Sequence, residues 1–247
     1  MSNFTTWRSL VDGEEIDRIP DSEGTHQWNA DEGSGSTLTD SIGSLDGTIN
    51  NATWQTNSTG AGDAYLLYDG VDDYVDLEST TAFASLRDNV EGTIFAWHRL
   101  DSADTGTYQT LLASNTSTSD TDFSFNLNDG DNQYEAWLTL NDDHERVTGG
   151  SPNDNVGDWV AYAWVVDGSG MELFTATPGE YDVSLVGTSS KPSSTSNNWD
   201  NNMTVGSRNA SGRQSFDGAI DLSFFDSDPW SESELQDFID DSKQFYE

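Results

Sequence analysis

The chain has 247 residues, with 45 acidic side chains against 9 basic ones and a formal net charge of −36. That balance excludes a nucleic-acid binder, which needs a basic stripe for phosphates, and a surface that attaches to an anionic membrane. No run approaches the roughly 18 apolar residues of a membrane span, and the absence of Cys excludes disulfides, thiolate metal sites and cysteine nucleophiles.

Residues 1–22 read as an N-terminal arm. Trp7, Leu10 and Val11 suggest one short amphipathic turn, Gly13 and an acidic run follow, and Pro20 closes the segment. An anchor and a frayed terminus both fit. Asp12, Glu14, Glu15 and Asp17 interrupt any apolar core of a cleaved signal peptide. From Thr25 onward the pattern is β, and strands are expected over residues 64–68, 74–77, 93–100 and 108–113. Phe123, Phe125 and Leu127 alternate with Ser124 and Asn126. After Asp129-Gly130, Tyr134, Ala136, Leu138 and Leu140 alternate with Glu135 and Trp137. Two period-2 runs around Asp-Gly form a hairpin. Further strands are expected over residues 159–166, 171–175 and 219–225, and residues 115–122 and 188–202 read as outward loops. The last element is a helix over about 231–245. Ser231 and Glu234 form its capping box, and Leu235, Phe238, Ile239 and Phe245 its apolar stripe, suited to packing on the outside of a sandwich. Many strands and few helices predict an all-β, two-sheet antiparallel sandwich in one domain, residues 23–247.

Low aliphatic content with high net charge is also the signature of disorder. Here, however, the chain has nine Trp and 11% aromatic residues, and many of them, Trp97, Trp137, Trp159 and Trp164 included, sit inside the strand-like runs. Asp outnumbers Glu 32 to 13, and the lysines are only Lys191 and Lys243. The composition points to a folded protein of a halophile working in molar salt, with an acidic protein of ordinary salt as the alternative. The Debye length falls from about 8 Å at ~0.15 M salt to about 3 Å at ~1 M, where carboxylate repulsion largely vanishes.

Five segments carry a family resemblance. The first is His26-Gln-Trp28-Asn-Ala-Asp31-Glu32-Gly33-Ser-Gly35 with Asp40-Ser-Ile-Gly43 and Leu45-Asp46-Gly47-Thr48-Ile49. Then come Tyr68-Asp69-Gly70-Val71-Asp72-Asp73-Tyr74-Val75, Thr93-Ile94-Phe95-Ala96-Trp97 and Gly157-Asp158-Trp159-Val160-Ala161. Phe216-Asp217-Gly218-Ala219-Ile220-Asp221 with the capped helix is the last. In this order they resemble the LamG-like jelly rolls of the concanavalin A-like lectin and glucanase superfamily, over about residues 25–245. The resemblance implies a jelly-roll sandwich with one concave face and, by itself, no particular activity. It also implies one structural Ca²⁺ or Mg²⁺ on the convex side. Asp221 would supply a side chain, Gly47 a carbonyl and Asp40 a second carboxylate, hard oxygen ligands that suit either ion. The residues alone leave open that Asp221 caps a turn or pairs with Arg208 or Arg213, and that Asp40 is merely solvated.

Glucanases of that superfamily carry Glu-x-Asp-x-(x)-Glu on one strand, because retaining hydrolysis needs two carboxyl groups about 5 Å apart. The near match Glu15-Ile16-Asp17-Arg18-Ile19-Pro20 lacks the second Glu and precedes the sandwich. The Arg, Gln-x-His and Tyr-Lys clusters of the superfamily's polysaccharide lyases are missing too. His26, His98 and His144 are far apart, and His98, beside Trp97, reads as a packed histidine. No catalysis is expected. Trp97, Tyr134, Trp137, Trp159, Tyr162 and Trp164 are candidates for a sugar-stacking platform, with core packing as the competing reading; parity does not tell which face is concave.

The expected function is therefore a non-enzymatic structural or recognition module on the surface of a halophile's virus, in its head or tail. The arm would dock into other virion subunits or form a homo-oligomer, and the sandwich would contact host-surface glycans. The alternatives are a glycan-binding module of a cell-surface or extracellular protein and a polysaccharide-active enzyme. The virion expectation rests on the salt-adapted composition, on a fold used outside cells for recognition, and on a chain that starts with Met1 without a signal peptide.

Overall fold

The computed structural model of the protein describes residues 7–11, 14–18, 26–56, 64–78, 86, 88, 90–102, 108–115, 121–128, 130–140, 143–193, 202–243 and 246. In chain order the strands are β1 (Trp7–Val11), β2 (Glu14–Arg18), β3 (His26–Trp28), β4 (Thr37–Leu38), β5 (Gly47–Asn50), β6 (Thr53–Thr56), β7 (Ala64–Asp69), β8 (Tyr74–Asp76) and β9 (Gly92–Leu100). They continue as β10 (Tyr108–Asn115), β11 (Thr121–Asn128), β12 (Gln133–Leu140), β13 (Asp143–Gly149), β14 (Trp159–Val166), β15 (Met171–Ala176), β16 (Ser184–Ser189), β17 (Met203–Val205) and β18 (Asp217–Asp226). Helix α1 (Glu232–Ser242) follows.

A front sheet runs β13-β12-β11-β10-β17-β8-β5-β4, and a back sheet runs β16-β15-β14-β9-β18-β7-β6 with β3 also paired to β18. Neighbours are antiparallel, as in β11 with β12 and β9 with β14, which is the sandwich that the alternation predicts. Phe123, Phe125, Leu127, Tyr134, Ala136 and Leu138 of the front sheet fill the interior against residues such as Tyr162, Trp164 and Leu173 of the back sheet.

The back sheet is buried on its outer face as well. Phe95, Trp97, Ala161, Ala163, Phe174 and Phe224 pack beneath Trp230, Leu235, Phe238 and Ile239. Phe95 stacks on Phe224 at 5.0 Å between centroids and meets Phe238 edge-on at 5.1 Å. Burial on both faces explains why β9 and β14 are nearly unbroken apolar runs, while β11 and β12 alternate. The helix starts at the predicted capping box, with Ser231 Oγ accepting from the Glu234 N–H and the Glu234 carboxylate from the Ser231 N–H. Phe245, the last residue of the predicted stripe, lies outside the described residues.

Three expectations need correction. The arm is not an amphipathic turn, because β1 and β2 pair antiparallel from Trp7 with Arg18 to Val11 with Glu14. Asp12-Gly13, a short-range hairpin signal, is the feature that the turn reading passed over. The loop expected over 188–202 begins only after β16, which pairs through Ser189 with Met171; residues 194–201 lie outside the described ones. Likewise β10 and β11 take up Asn115, Thr121 and Asp122 from the loop expected over 115–122, of which residues 116–120 are not described. Strands β6, β13 and β16 escaped the sequence reading because they are edge or near-edge strands with few apolar residues.

Candidate functional site

Among the described residues, the outer face of the front sheet carries a row of polar side chains. Asn126 of β11 is opposite Thr110 of β10 and Glu135 of β12; Ser124 is opposite Trp137, and Trp137 opposite Arg146 of β13. Directly opposed residues share a face. Because Phe123, Phe125 and Leu127 point inward, this row points outward. A cavity of about 140 Å³ opens on it, lined by Tyr108, Ser124, Asn126, Trp137, Arg208 and Gln214. The last two come from the turn between β17 and β18. That turn folds on itself through Arg208 N–H to Arg213 O at 2.8 Å, and is held to β10 by Thr110 N–H to Gln214 O at 3.1 Å and Gly206 N–H to Leu111 O at 2.9 Å. Gly206 enters it at φ 80°, and a Cβ there would overlap the Tyr68 ring, so no other residue fits.

The polar groups are held firmly. Asn126 is only 4% exposed. Its Nδ2 donates to Ser124 Oγ at 2.7 Å, and its Oδ1 meets no donor among the described residues. A buried acceptor left unpaired costs about 1–3 kcal/mol, so this oxygen is suited to a donor arriving with a ligand. Glu135, wholly buried, accepts from Trp137 Nε1 and from Arg146 Nη1, the latter at 3.2 Å. Burial holds the Glu135 carboxyl above its usual range, against the opposing pull of those bonds. Arg146 lies with Cζ 5.2 Å from the Trp137 ring centroid, so Glu135 orients both the indole and the guanidinium above it. Arg208 Nη1 donates to Gln214 Oε1 at 3.1 Å. Burial, and then the charge of Arg213, weaken its hold on its proton. The Tyr108 hydroxyl is pushed up by burial and next by Glu135, and it feels both Arg146 and Arg208. An indole, a phenol, two amides, a hydroxyl and a guanidinium thus converge. Among the described residues no carboxylate lines the cavity.

Of the six aromatic candidates, Trp97, Tyr134, Tyr162 and Trp164 are core residues. Trp159 packs on Tyr65 and Tyr246 against the back sheet, and Trp137 lines the cavity. His98 is packed, as expected, with Nε2 3.3 Å from Tyr134 Oη between the sheets. Tyr108, Ser124, Asn126, Arg208 and Gln214 were not among the sequence candidates. The alternation of β11 and β12, set against the unbroken runs of β9 and β14, could have pointed to Ser124 and Asn126. Nothing in the pattern marks Arg208 or Gln214.

The residues that the resemblance assigns to a cation lie elsewhere. Asp40 Oδ1 accepts from the N–H of Gln27 (3.1 Å), Ile42 (3.3 Å) and Gly43 (2.8 Å), and Oδ2 from Leu45 N–H (2.8 Å) and His26 Nδ1 (2.6 Å). Burial alone would raise this carboxyl, yet the bonds from His26, Leu45, Gly43 and Gln27 hold it below the usual carboxylate range. With both oxygens filled, Asp40 does not fit a second carboxylate ligand; it anchors the loop before β5 and is buried rather than solvated. Gly43 is required there, since a Cβ would lie 2.5 Å from Asp40 Oδ2. Gly47 opens β5 in the front sheet, where a Cβ would collide with Val75. Asp221 is half-buried in the back sheet, where the β18 register shifts between Ile220 and Ser223. A group of three acids, Asp69, Asp72 and Asp73, occupies the β7–β8 turn. Asp69 Oδ1 accepts there from Val71 N–H at 2.9 Å and Asp73 Oδ2 from Asp69 N–H at 2.8 Å, bonds that close the turn.

Residues 69–235 match a family model, Laminin_G_3, of the concanavalin A-like lectin/glucanases superfamily. No curated protein matches the chain significantly. Among solved structures, the chain is similar to the CBM40 of Ruminococcus gnavus IT-sialidase bound to alpha2,3 sialyllactose, with 17% identity and a TM-score of 0.54 over 69% of this chain and 94% of that one. It is also similar to the binding domain of botulinum neurotoxin DC in complex with SialylT, with 13% identity and a TM-score of 0.61, covering 87% of this chain and 50% of that one. A third is Trypanosoma rangeli sialidase in complex with sialic acid, with 12% identity and a TM-score of 0.57, covering 94% of this chain and 34% of that one. The chain therefore spans half the length of the neurotoxin domain and a third of the sialidase, and at such identities the likeness is one of fold. With the family model matched over most of the sandwich and the strand order in agreement, the chain belongs to the concanavalin A-like lectin/glucanases superfamily.

Proposed function

We propose that the protein is a non-catalytic glycan-binding module whose site is the cavity between Trp137 and Arg208. The observation that carries this reading is the pairing of a clamped indole with a buried amide oxygen that lacks a donor. An aromatic ring suits the apolar face of a pyranose, while Asn126, Ser124, Tyr108 and Gln214 offer directional partners for its hydroxyls. The cavity is well below the roughly 300–1,000 Å³ of a drug-sized pocket, a size that suits a terminal sugar. Two proteins of similar fold are named for complexes with sialyllactose and with SialylT, which supports the choice of ligand class. Retaining hydrolysis calls for paired carboxyl groups, and the cavity lining offers none among the described residues.

Titration of the whole chain against a glycan panel in molar salt tests the reading. Trp137→Ala should weaken binding at least about tenfold, the scale of one lost aromatic contact, while Trp159→Ala on the back sheet leaves it unchanged. A folded protein that binds no glycan, or binds equally well without Trp137, overturns the proposal, and turnover of a bound glycan overturns its non-catalytic part. The composition favours an exposed setting in molar salt, on a virus particle or a cell envelope, with the β1–β2 hairpin as a tether to partner subunits. Mass spectrometry of washed particles and of envelope fractions separates the two settings.

A further inference from the structure

We propose that Glu135 is the positioning residue of the sugar site and that its ionisation gates binding: the charged carboxylate holds Trp137 ready for the ligand, and protonation releases the ring. This inference rests on the glycan reading above. The two oxygens of Glu135 are engaged separately. Oε1 accepts from Trp137 Nε1, and Oε2 accepts from Arg146 Nη1 at 3.2 Å. Arg146 in turn lies with Cζ 5.2 Å from the centroid of the Trp137 ring. The indole is thus restrained at its edge by the carboxylate and across its face by the guanidinium that the same carboxylate holds. Only an ionised carboxyl accepts on both oxygens without carrying a donor of its own. A proton on Oε1 meets the indole N–H, donor against donor. A proton on Oε2 meets the guanidinium, which is 48% exposed and turns to water. Either way Trp137 loses one of its two restraints, and bonds that were charge-assisted, about twice as strong as neutral ones, lose that strength.

Glu135 is wholly buried, so water does not take over either bond. On β11, Asn126 is directly opposite, and Asn128 bonds the carboxyl while donating to Asp131 Oδ2 at 3.1 Å. On β13, Thr148 is directly opposite and Arg146 is two residues away. Tyr108 of β10 feels Glu135, Arg146, Asp131 and Arg208, and Tyr162 lies behind Glu135 between the sheets. Burial keeps both phenols protonated, which leaves Asp131 as the other carboxyl in reach. Desolvation lifts the Glu135 carboxyl above its ordinary value of 4.5, and the pull of Trp137, Arg146 and Asn128 offsets this only in part. Glu135 therefore takes up its proton at a higher pH than an exposed glutamate. Binding is complete above that raised value and is lost as the pH falls through it. Because the bonds are short and buried, molar salt does not screen them away.

Two measurements on the full chain in molar salt test the gate. One is titration with sialyllactose, and with any neutral sugar of the panel that binds, from about pH 8 to about pH 4. The other is the Trp137 indole N–H resonance, assigned with Trp137→Phe, over the same range without sugar. In the parent the affinity should fall at least about tenfold toward acid, the scale of one lost aromatic contact. The Trp137 resonance should shift with the same midpoint, while the indole signals of the core residues Trp97 and Trp164 stay in place and show that the fold survives. Glu135→Gln should bind at the parent's acid level at every pH. Arg146→Gln keeps a donor near Oε2 but removes the charge, so its midpoint should move to higher pH; at an exposed position, this variant folds even where Glu135→Gln does not. Equal affinity across the range, or a Trp137 resonance that does not shift, overturns the gate while glycan binding itself stands. A profile that persists in Glu135→Gln, carried by Asp131 or a histidine, overturns the role of Glu135, as does an unmoved midpoint in Arg146→Gln. Absence of binding at every pH overturns the glycan reading and the gate with it.

Discussion

Replacing Asp40 with Asn separates a loop anchor from a metal ligand. The Asp40 side chain is 0% exposed, so water cannot take over the bonds that it loses. The variant keeps one oxygen for Gln27, Ile42 and Gly43, but turns an NH₂ toward Leu45 N–H, donor against donor, and takes the charged acceptor away from both Leu45 N–H and His26 Nδ1. Each lost bond to a charged acceptor is worth about 1.5–3 kcal/mol, which puts the penalty at roughly 3–5 kcal/mol. At about 2–4 °C per kcal/mol for a chain of this size, the melting temperature should fall by around 10 °C. The assay is denaturant unfolding of parent and Asp40→Asn in molar salt, with and without a chelator of divalent ions. The loop anchor predicts the same penalty in both conditions. A variant within about 1 kcal/mol of the parent refutes the hydrogen-bond account, and a penalty that disappears in chelator restores Asp40 as a cation ligand. Because this carboxyl lies below its unfolded value of 3.8, its contribution is present above that pH and is lost as the pH falls through the lower folded value.

His98 gives a second pH dependence with its own window. Burial pulls its pKa down from 6.5 to about 3, so below pH 6.5 the unfolded chain takes up a proton that the folded one refuses. Stability should be complete above about pH 6.5 and fall by about 1.4 kcal/mol per pH unit toward pH 3. His98→Phe should remove that part of the slope in denaturation curves taken between those limits, and equal slopes for parent and variant refute it. Salt supplies another test. With a net charge of −36, the cooperative thermal transition should move sharply downward as salt is reduced from about 1 M to tens of millimolar; a transition that does not move contradicts the salt-adapted reading.

The local patterns in the sequence determined the apolar central strands and where the helix begins, but not the edge strands or the N-terminal hairpin. The hairpin of β11 and β12 follows from strict alternation about a turn, and the helix start from Ser231 and Glu234, because both depend on residues within a few positions of one another. The family could be read from five ordered segments for a related reason: Gly43, Gly47 and their neighbours are demanded by close backbone packing, which leaves a local signature. The role of Asp40 was not legible. Its donors come from Gln27 across to Leu45, and only the folded loop shows that both carboxylate oxygens are used.

The functional surface depended on which outer face is covered, and that is a tertiary question. Trp97 and Trp137 look alike in sequence, each in an aromatic-rich strand. Helix α1 and Trp230 close over the face that carries Trp97, and the front-sheet face that carries Trp137 stays polar and bears the cavity. Arg208 and Gln214 reach that cavity because Gly206 turns the chain at positive φ and β10 accepts the returning loop. Convergence of residues from β10, β11, β12 and a distant turn is set by sheet order and loop docking, which no period in a single segment encodes.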